Sequence, residues 1–151
     1  MEKKAFLSFV RKYFEKQGFE KIKNRYYRSA KEFLCEIFVF KSCYDEYYYF
    51  DFCFYIGTFQ KPYSIDRGGW QTHTPYVGYR FVFGEDPRDA ACYYLNYDEI
   101  NLSKKLDENV NKFIVPPFEY GKKYLLDNYE NPYRTFLDDD MIKKLLSETS
   151  L

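Results

Sequence analysis

The sequence predicts an α+β fold with an N-terminal helix, a four-stranded antiparallel meander sheet and C-terminal helices. Three observations support this: apolar residues recur at helical spacing near the N-terminus, alternate with polar residues in the middle, and return to helical spacing after Gly84. The 151 residues lie within the usual size range of one domain, and we therefore expect a single α+β domain over residues 1–151.

The first predicted element is an amphipathic helix. Its apolar residues recur every three or four positions with lysine and arginine mostly between them, as in a helix with one buried face. These residues are Phe6, Phe9, Val10, Tyr13 and Phe14. Gly18 then offers a C-terminal stop.

Four strands are predicted to follow, at about residues 19–28, 33–41, 46–57 and 76–84. Short polar connections join the first three, which favours a meander. The third strand lies in "YDEYYYFDFCFYIG", where Asp51 is a carboxylate within an almost wholly aromatic run.

Asp51 predicts which side of this strand faces solvent. Burying an ionised carboxylate is unfavourable, and strand side chains alternate between faces, so every second residue counted from Asp51 belongs to a wet outer face. The residues between them are apolar and predict a core face. They are Tyr48, Phe50, Phe52, Phe54 and Ile56. One buried and one wet face are typical of an antiparallel sheet.

Loop lengths then suggest a register. Four-residue loops place Glu36 opposite Asp51 and Arg25 opposite Glu36, while Arg80 has the parity to lie beside Asp51. We therefore expect a charge row of Arg25, Glu36, Asp51 and Arg80 on the outer face, in which arginines offset two adjacent carboxylates. Paired carboxylates also suit general acid–base catalysis, but no nucleophile or phosphate-binding loop accompanies them, which favours a structural role.

The C-terminal part predicts helices. Leu106, Val110, Phe113 and Ile114 share one helical face until Pro116 and Pro117, which are tolerated in the first turn of a second helix. The second helix would bury Phe118, Tyr124, Leu125 and Tyr129, and a third would bury Leu137, Met141, Ile142, Leu145 and Leu146.

Charge and cysteine usage narrow the function classes. Lysine plus arginine equal aspartate plus glutamate at 23 each, although residues 1–31 are basic and residues 85–151 are acidic. We expect a cytoplasmic protein with no membrane partner, because no apolar run approaches a membrane span and the charged N-terminus does not resemble a signal peptide. The four cysteines form no CxxC pair, so we expect free thiols without zinc, structural disulfides or a cofactor.

Three further features favour structural roles over sites. His73 is the only histidine, and a lone histidine in a loop is usually incidental. Asp138, Asp139 and Asp140 suit the start of a helix, where carboxylates interact favourably with the helix dipole, better than a metal site. The "EDPRD" run at 85–89 predicts a turn and helix start rather than a metal loop.

Several blocks resemble a known family. "GFEKIKNRYYR", "FVFKSCYDEYYYFDFCFYIG" and "NKFIVPPFEY" are similar to successive blocks of the domain of unknown function 4304 family of small bacterial proteins, over about residues 4–145. The resemblance implies the same order of helix, antiparallel sheet and helices, and no established activity. It also implies a likeness to the immunity proteins of bacterial toxin systems, which act by binding.

The function predicted is binding of another protein rather than catalysis. Tyrosine, tryptophan and arginine favour protein interfaces. Those expected to converge on the outer face and the 58–75 loop are Tyr47, Tyr49, Tyr55, Trp70, Tyr76 and Arg80. The competing interpretation is that C-terminal helices cover this face and make its tyrosines a second core.

Single-stranded nucleic-acid binding is the alternative function. The basic segment from Lys3 to Lys31 would follow the phosphates while sheet tyrosines stack on bases. It requires Lys21, Lys23 and Arg25 to share the outer face, and zero net charge weighs against it.

Overall fold

The computed structural model describes residues 1–65, 77–128 and 134–135. The α+β class is confirmed. In the described residues the helices are α1 (Lys3–Lys16), α2 (Glu99–Asn109), α3 (Val115–Tyr120) and α4 (Lys122–Asn128). A 3-10 turn (Tyr94–Asn96) precedes α2, and a π-helical segment (Val110–Ile114) joins α2 to α3.

The sheet is antiparallel throughout, and its strands lie in chain order. They are β1 (Glu20–Ile22), β2 (Arg25–Ser29), β3 (Phe33–Lys41), β4 (Tyr48–Ile56), β5 (Val77–Arg80) and β6 (Arg134–Thr135). The prediction of four strands is therefore short by two. The run expected as one strand at 19–28 is a hairpin, and β6 was not anticipated.

The extra hairpin turns at Lys23 and Asn24. Lys23 has a φ of 59°, in the left-handed region, and Ile22 pairs with Arg25 across the turn. The two-residue turn places Ile22 and Arg25 on the same face of the sheet. Odd-numbered residues therefore lie on one face before the turn and on the other face after it. Lys21 lies opposite Tyr26, on the face that carries the core.

The predicted faces of β4 are confirmed. Phe50, Phe52 and Phe54 are buried, whereas Asp51 lies on the other face and is partly exposed. The described helices pack against the face that carries these phenylalanines: Phe6 and Phe14 of α1 contact Phe50. From the C-terminal half, Phe113 lies 5.0 Å from Phe52 and Phe118 of α3 lies 5.0 Å from Phe33, between ring centroids.

The predicted register is wrong by two residues in both hairpins. Glu36 pairs with Cys53 rather than Asp51, and Arg25 pairs with Phe38 rather than Glu36. The first turn is shorter than the expected four-residue loop, because Ala30 and Phe33 close a two-residue turn. The second turn keeps four residues but is displaced by one residue, because Ser42 donates its N–H to Tyr47 O at 2.9 Å. A shift of two residues keeps the side-chain parity, so the faces remain correct.

The second C-terminal helix begins at the two prolines, as predicted, but the chain before them stays helical instead of breaking. The N–H of Val115 bonds Val110 O, five residues back, and Pro116 and Pro117, which have no N–H, then open α3. The prolines remove two donors that a continuous α-helix would use, which explains why π-helical bonding precedes them. The second predicted helix is divided at Gly121, where φ is 81°, into α3 and α4.

A buried asparagine holds the chain that follows β5. The side chain of Asn109 accepts from Val82 N at 2.7 Å and donates to Val82 O at 2.9 Å, and it also donates to Lys105 O at 2.8 Å. The amide thus gives the Val82 backbone the two bonds that a neighbouring strand would supply. Residues 81–83 are therefore fixed beside the sheet although β5 ends at Arg80.

Candidate functional site

The outer face of the sheet is divided into a covered part and an open part. At one end, Tyr27, Leu34 and Tyr55 form a second buried cluster. The chain after β4 covers them: Phe59, Tyr63 and Ile65 pack against this cluster. Part of the outer face is therefore a small second core.

This covering is produced by the start of the long β4–β5 connection and not by the described C-terminal helices. Tyr63 donates to or accepts from Ser29 Oγ at 2.7 Å, and its ring lies 6.0 Å from that of Tyr27. The ring of Phe59 lies 6.5 Å from that of Tyr55. Tyr55 is only 4% exposed, so its assignment as a surface binding residue is corrected.

Glu36 is a buried carboxylate within the covered part. It is 3% exposed and accepts from Arg25 Nη1 at 3.0 Å, from Tyr55 OH at 3.4 Å and from Cys53 Sγ at 3.6 Å. Burial raises the pKa of Cys53 to about 12, so this thiol is protonated near neutral pH. The charged partner and the additional donors explain how the structure accommodates a carboxylate out of contact with water.

The open part carries a group of rings that we call the aromatic platform, consisting of Phe38, Phe40, Tyr47, Tyr49 and Tyr93. The rings of Phe38 and Phe40 are stacked with their centroids 4.7 Å apart, and the ring centroids of Phe40 and Tyr49 are 5.6 Å apart. Tyr47 lies 5.2 Å from Tyr49 and 5.0 Å from Tyr93. Unlike the buried core rings, all five retain contact with solvent.

Two arginines border the platform and stack on its rings. The Arg25 guanidinium carbon lies 3.8 Å from the centre of the Phe38 ring, and that of Arg80 lies 4.0 Å from the centre of the Tyr49 ring. Such cation–π contacts hold each planar guanidinium group against the face of a ring. The platform is therefore a surface of ordered aromatic and arginine side chains.

The expected charge row is replaced by two separate ion pairs. Arg80 lies opposite Asp51, as predicted, and donates from Nε at 2.5 Å and from Nη2 at 3.1 Å. Arg25 reaches Glu36 diagonally at 3.0 Å. Phe38 stands between the two pairs because it lies opposite both Arg25 and Asp51. The adjacent carboxylates on which the row and the acid–base alternative depended are not found.

Two tyrosine hydroxyl groups of the platform are linked. Tyr49 OH donates to Tyr47 OH at 3.3 Å. Hydrogen bonds from Ser42 and then Tyr49 lower the pKa of Tyr47, whereas donation to Tyr47 raises the pKa of Tyr49. This link orients the two hydroxyl groups relative to each other at the edge of the platform.

The structure thus brings together Tyr47, Tyr49 and Arg80 of the predicted binding residues. Trp70, Tyr76 and His73 lie outside the described residues, as do Asp138, Asp139, Asp140 and the third predicted C-terminal helix. Of the 58–75 loop, residues 58–65 are described and form the cover of the second core.

Sequence reasoning missed three members of the platform. Phe38 and Phe40 have outward parity in β3, so the alternation of side chains could have identified them. Tyr93 comes from the chain before the 3-10 turn, where Cys92 pairs with Tyr48. No local pattern identifies that bridge, so Tyr93 was not predictable from spacing.

The basic segment proposed for nucleic acid is divided between the two faces. Lys21 lies on the core-bearing face and Arg25 on the outer face, and Lys23 is in the turn between them. The expectation that all three share the outer face is therefore wrong. The hairpin is the cause, because it interrupts the alternation on which that expectation relied.

The described residues carry neither a metal-binding cluster nor a helix that could span a membrane. Within residues 1–65 and 77–128, no group of three or more His, Cys, Asp or Glu side chains could hold a metal ion. No helix in the described part of the chain is long and apolar enough to cross a bilayer. The "EDPRD" run forms a turn, as predicted, in which Asp89 N donates to Asp86 O at 2.9 Å; α2 begins only at Glu99.

Comparisons with protein-family models, with curated proteins and with solved structures each find no match to this chain. The resemblance to the domain of unknown function 4304 family therefore stays a prediction.

Proposed function

We propose that this protein binds another protein through the aromatic platform and does not turn over a substrate. The observation that carries the proposal is the set of five ordered, solvent-contacting rings bordered by Arg25 and Arg80. Aromatic residues and arginine dominate the energetics of protein interfaces, because they offer a large contact area at a small loss of conformational entropy. The immunity-like role implied by the family resemblance is one form of such binding.

The packing of the platform side chains against one another supports this proposal. Each ring contacts at least one other ring of the set, and Arg80 is held by both Asp51 and Tyr49. A surface that is already ordered loses little further entropy when a partner docks. The described helices pack on the opposite face, so their own packing does not cover this surface.

Nucleic-acid binding is the second candidate, because bases also stack on tyrosine and arginine. The charges favour it less. Each platform arginine is already paired with a carboxylate, and Lys21 lies on the opposite face from Arg25. A phosphate backbone requires several unneutralised cations along one surface.

The test compares the parent with two tyrosine variants in capture experiments from the native cell. Tyr49→Ala removes the central platform ring, and Tyr120→Ala removes a ring on α3 that is 69% exposed and serves as the matched control. We expect a partner protein that is retained by the parent and by Tyr120→Ala but is lost at least about 30-fold with Tyr49→Ala, as for a binding hot spot of about 2 kcal/mol.

Salt dependence separates the two candidates. A protein interface of this kind should weaken only modestly between about 50 and 200 mM salt, whereas contacts to six to ten phosphates lose several decades of affinity. A fluorescent single-stranded oligonucleotide is titrated over the same range. Tight, salt-steep oligonucleotide binding that depends on Tyr49 would replace the proposal with the nucleic-acid function, and partner capture unaffected by Tyr49→Ala would refute it.

A further inference from the structure

A cleft of about 840 Å³ opens beside the aromatic platform. Tyr49 and Tyr93 of the platform line the cleft, and so does Arg80, which borders the platform. Tyr79 and Arg88 are further lining residues. The cleft is therefore continuous with the surface to which we assign partner binding, and it differs from the platform because it is concave.

Arg80 has unused donors in this cleft. Its guanidinium binds Asp51 side-on, through Nε and Nη2, and thus uses two of its five N–H groups. No described residue accepts from Nη1 or from the second hydrogen of Nη2. The ring of Tyr49 below the guanidinium holds it flat, so its free edge has a fixed orientation. A planar group with two oxygens matches such an edge.

Arg88 repeats this arrangement in the turn that follows β5. Its Nε and Nη2 bind the two carboxylate oxygens of Asp86 at 3.2 and 3.1 Å, and the side chain is 90% exposed. The turn itself is well defined, because Asp89 O accepts from Phe83 N at 2.8 Å and from Gly84 N at 3.1 Å. The cleft therefore has a second side-on arginine on an ordered backbone.

Two phenol groups add further donors. Among the described residues, neither Tyr79 OH nor Tyr93 OH has a hydrogen-bond partner, and both side chains line the cleft. Asp89, the acidic residue of the lining, already accepts from Asp86 N at 3.3 Å through Oδ2. Arg80, Arg88, Tyr79 and Tyr93 thus leave N–H and O–H donors unused in the lining of the cleft, which suits a ligand with acceptor oxygens.

We propose that this cleft binds a carboxylate side chain from an extended acidic and aromatic segment of the protein partner. The inference rests on the proposed function and specifies the partner's chemistry. The partner's carboxylate accepts from the free edge of Arg80, with Arg88, Tyr79 and Tyr93 as further donors, and its neighbouring rings lie on the platform. Because Asp51 and Asp86 already neutralise the arginines, the site selects a single planar carboxylate rather than a polyanion.

The test uses two capped tripeptides that differ in one group. Acetyl-Tyr-Glu-Tyr-amide carries the carboxylate, and acetyl-Tyr-Gln-Tyr-amide has the same size without the charge. Both are titrated into the isotopically labelled protein at constant ionic strength and followed by NMR. We expect the glutamate peptide to bind at least about tenfold more tightly, as for a charge-assisted bond, and to shift the signals of Arg80 and Arg88.

Matched double variants locate the effect. Arg80→Gln with Asp51→Asn removes the side-on arginine and keeps the local charge balanced, and it should abolish the preference for glutamate. Arg11→Gln with Glu15→Gln removes an exposed arginine–carboxylate pair on α1 and should leave the preference unchanged. A melting curve for each variant confirms that it is folded.

Equal affinity for the two peptides, or a preference that survives loss of Arg80, would overturn the inference. Signal shifts confined to lysines elsewhere would overturn it as well. The proposed function fails separately: if partner capture still depends on Tyr49 while the peptides are not distinguished, platform binding stands and carboxylate recognition falls.

Discussion

Replacing Asn109 by leucine tests how residues 81–83, which follow β5, are held beside the sheet. Leucine has nearly the same volume but cannot bond the Val82 backbone, so Val82 N and Val82 O both lose their partner. Each unsatisfied buried backbone group costs about 1–3 kcal/mol, which gives about 2–6 kcal/mol for two. Val82 is only partly buried and water offsets part of this loss, so we expect about 2–4 kcal/mol.

The measurement is the free energy of unfolding from urea denaturation, combined with hydrogen exchange at the Val82 amide. Asn111→Leu is the matched control, because Asn111 is exposed and lies two residues further on, in the adjoining π-helical segment. The control should change stability by less than about 0.5 kcal/mol. In Asn109→Leu the Val82 amide should also exchange faster than expected from the change in global stability.

The reasoning would be refuted if Asn109→Leu and Asn111→Leu had equal stabilities. It would also be refuted if the Val82 amide kept its protection in Asn109→Leu, because another group would then satisfy that backbone.

Three further changes follow from the packing. Phe52→Ala should cost about 3–5 kcal/mol in urea unfolding, because Phe52 is 2% exposed within the core; a cost below about 1 kcal/mol would mean that the sheet faces are reversed. Gly84→Ala should cost about 1–3 kcal/mol by thermal unfolding, because the added Cβ would lie 2.4 Å from Asp89 Cβ; unchanged stability would show that the turn relaxes freely. A thiol reagent at pH 8 should label Cys43 rapidly and Cys92 only on unfolding, because Cys43 is exposed whereas burial raises the pKa of Cys92 to about 12; equal labelling rates would contradict this.

The faces of the sheet were predictable because side-chain alternation depends on parity alone. Asp51 identified the outer face of β4, and a register error of two residues left that assignment intact. The register itself was not predictable in the same way. It depends on where each turn closes, and polar residues such as Ser42 and Glu46 suit either a turn or a strand end.

The candidate site was predictable only in part for a related reason. Tyr47 and Tyr49 share parity with Asp51, and Arg80 points outward from the next strand opposite it, so alternation placed the three side chains together. Tyr55 shares it too, yet it is buried by residues that follow β4, a packing that parity cannot predict. The split of the basic segment depends on Lys23 adopting a φ of 59° without a glycine to mark the turn, although Asn24 was a weak turn signal.

The π-helical segment affects how this chain should be aligned with others. Because each turn there holds about one residue more than an α-helix, the apolar positions after Ile114 are out of phase with those before Val110, by about 100°. A related chain with an uninterrupted α-helix would therefore match this one only with a one-residue gap in this segment. A sequence alignment without this gap would match core positions of one chain with surface positions of the other and would underestimate their similarity.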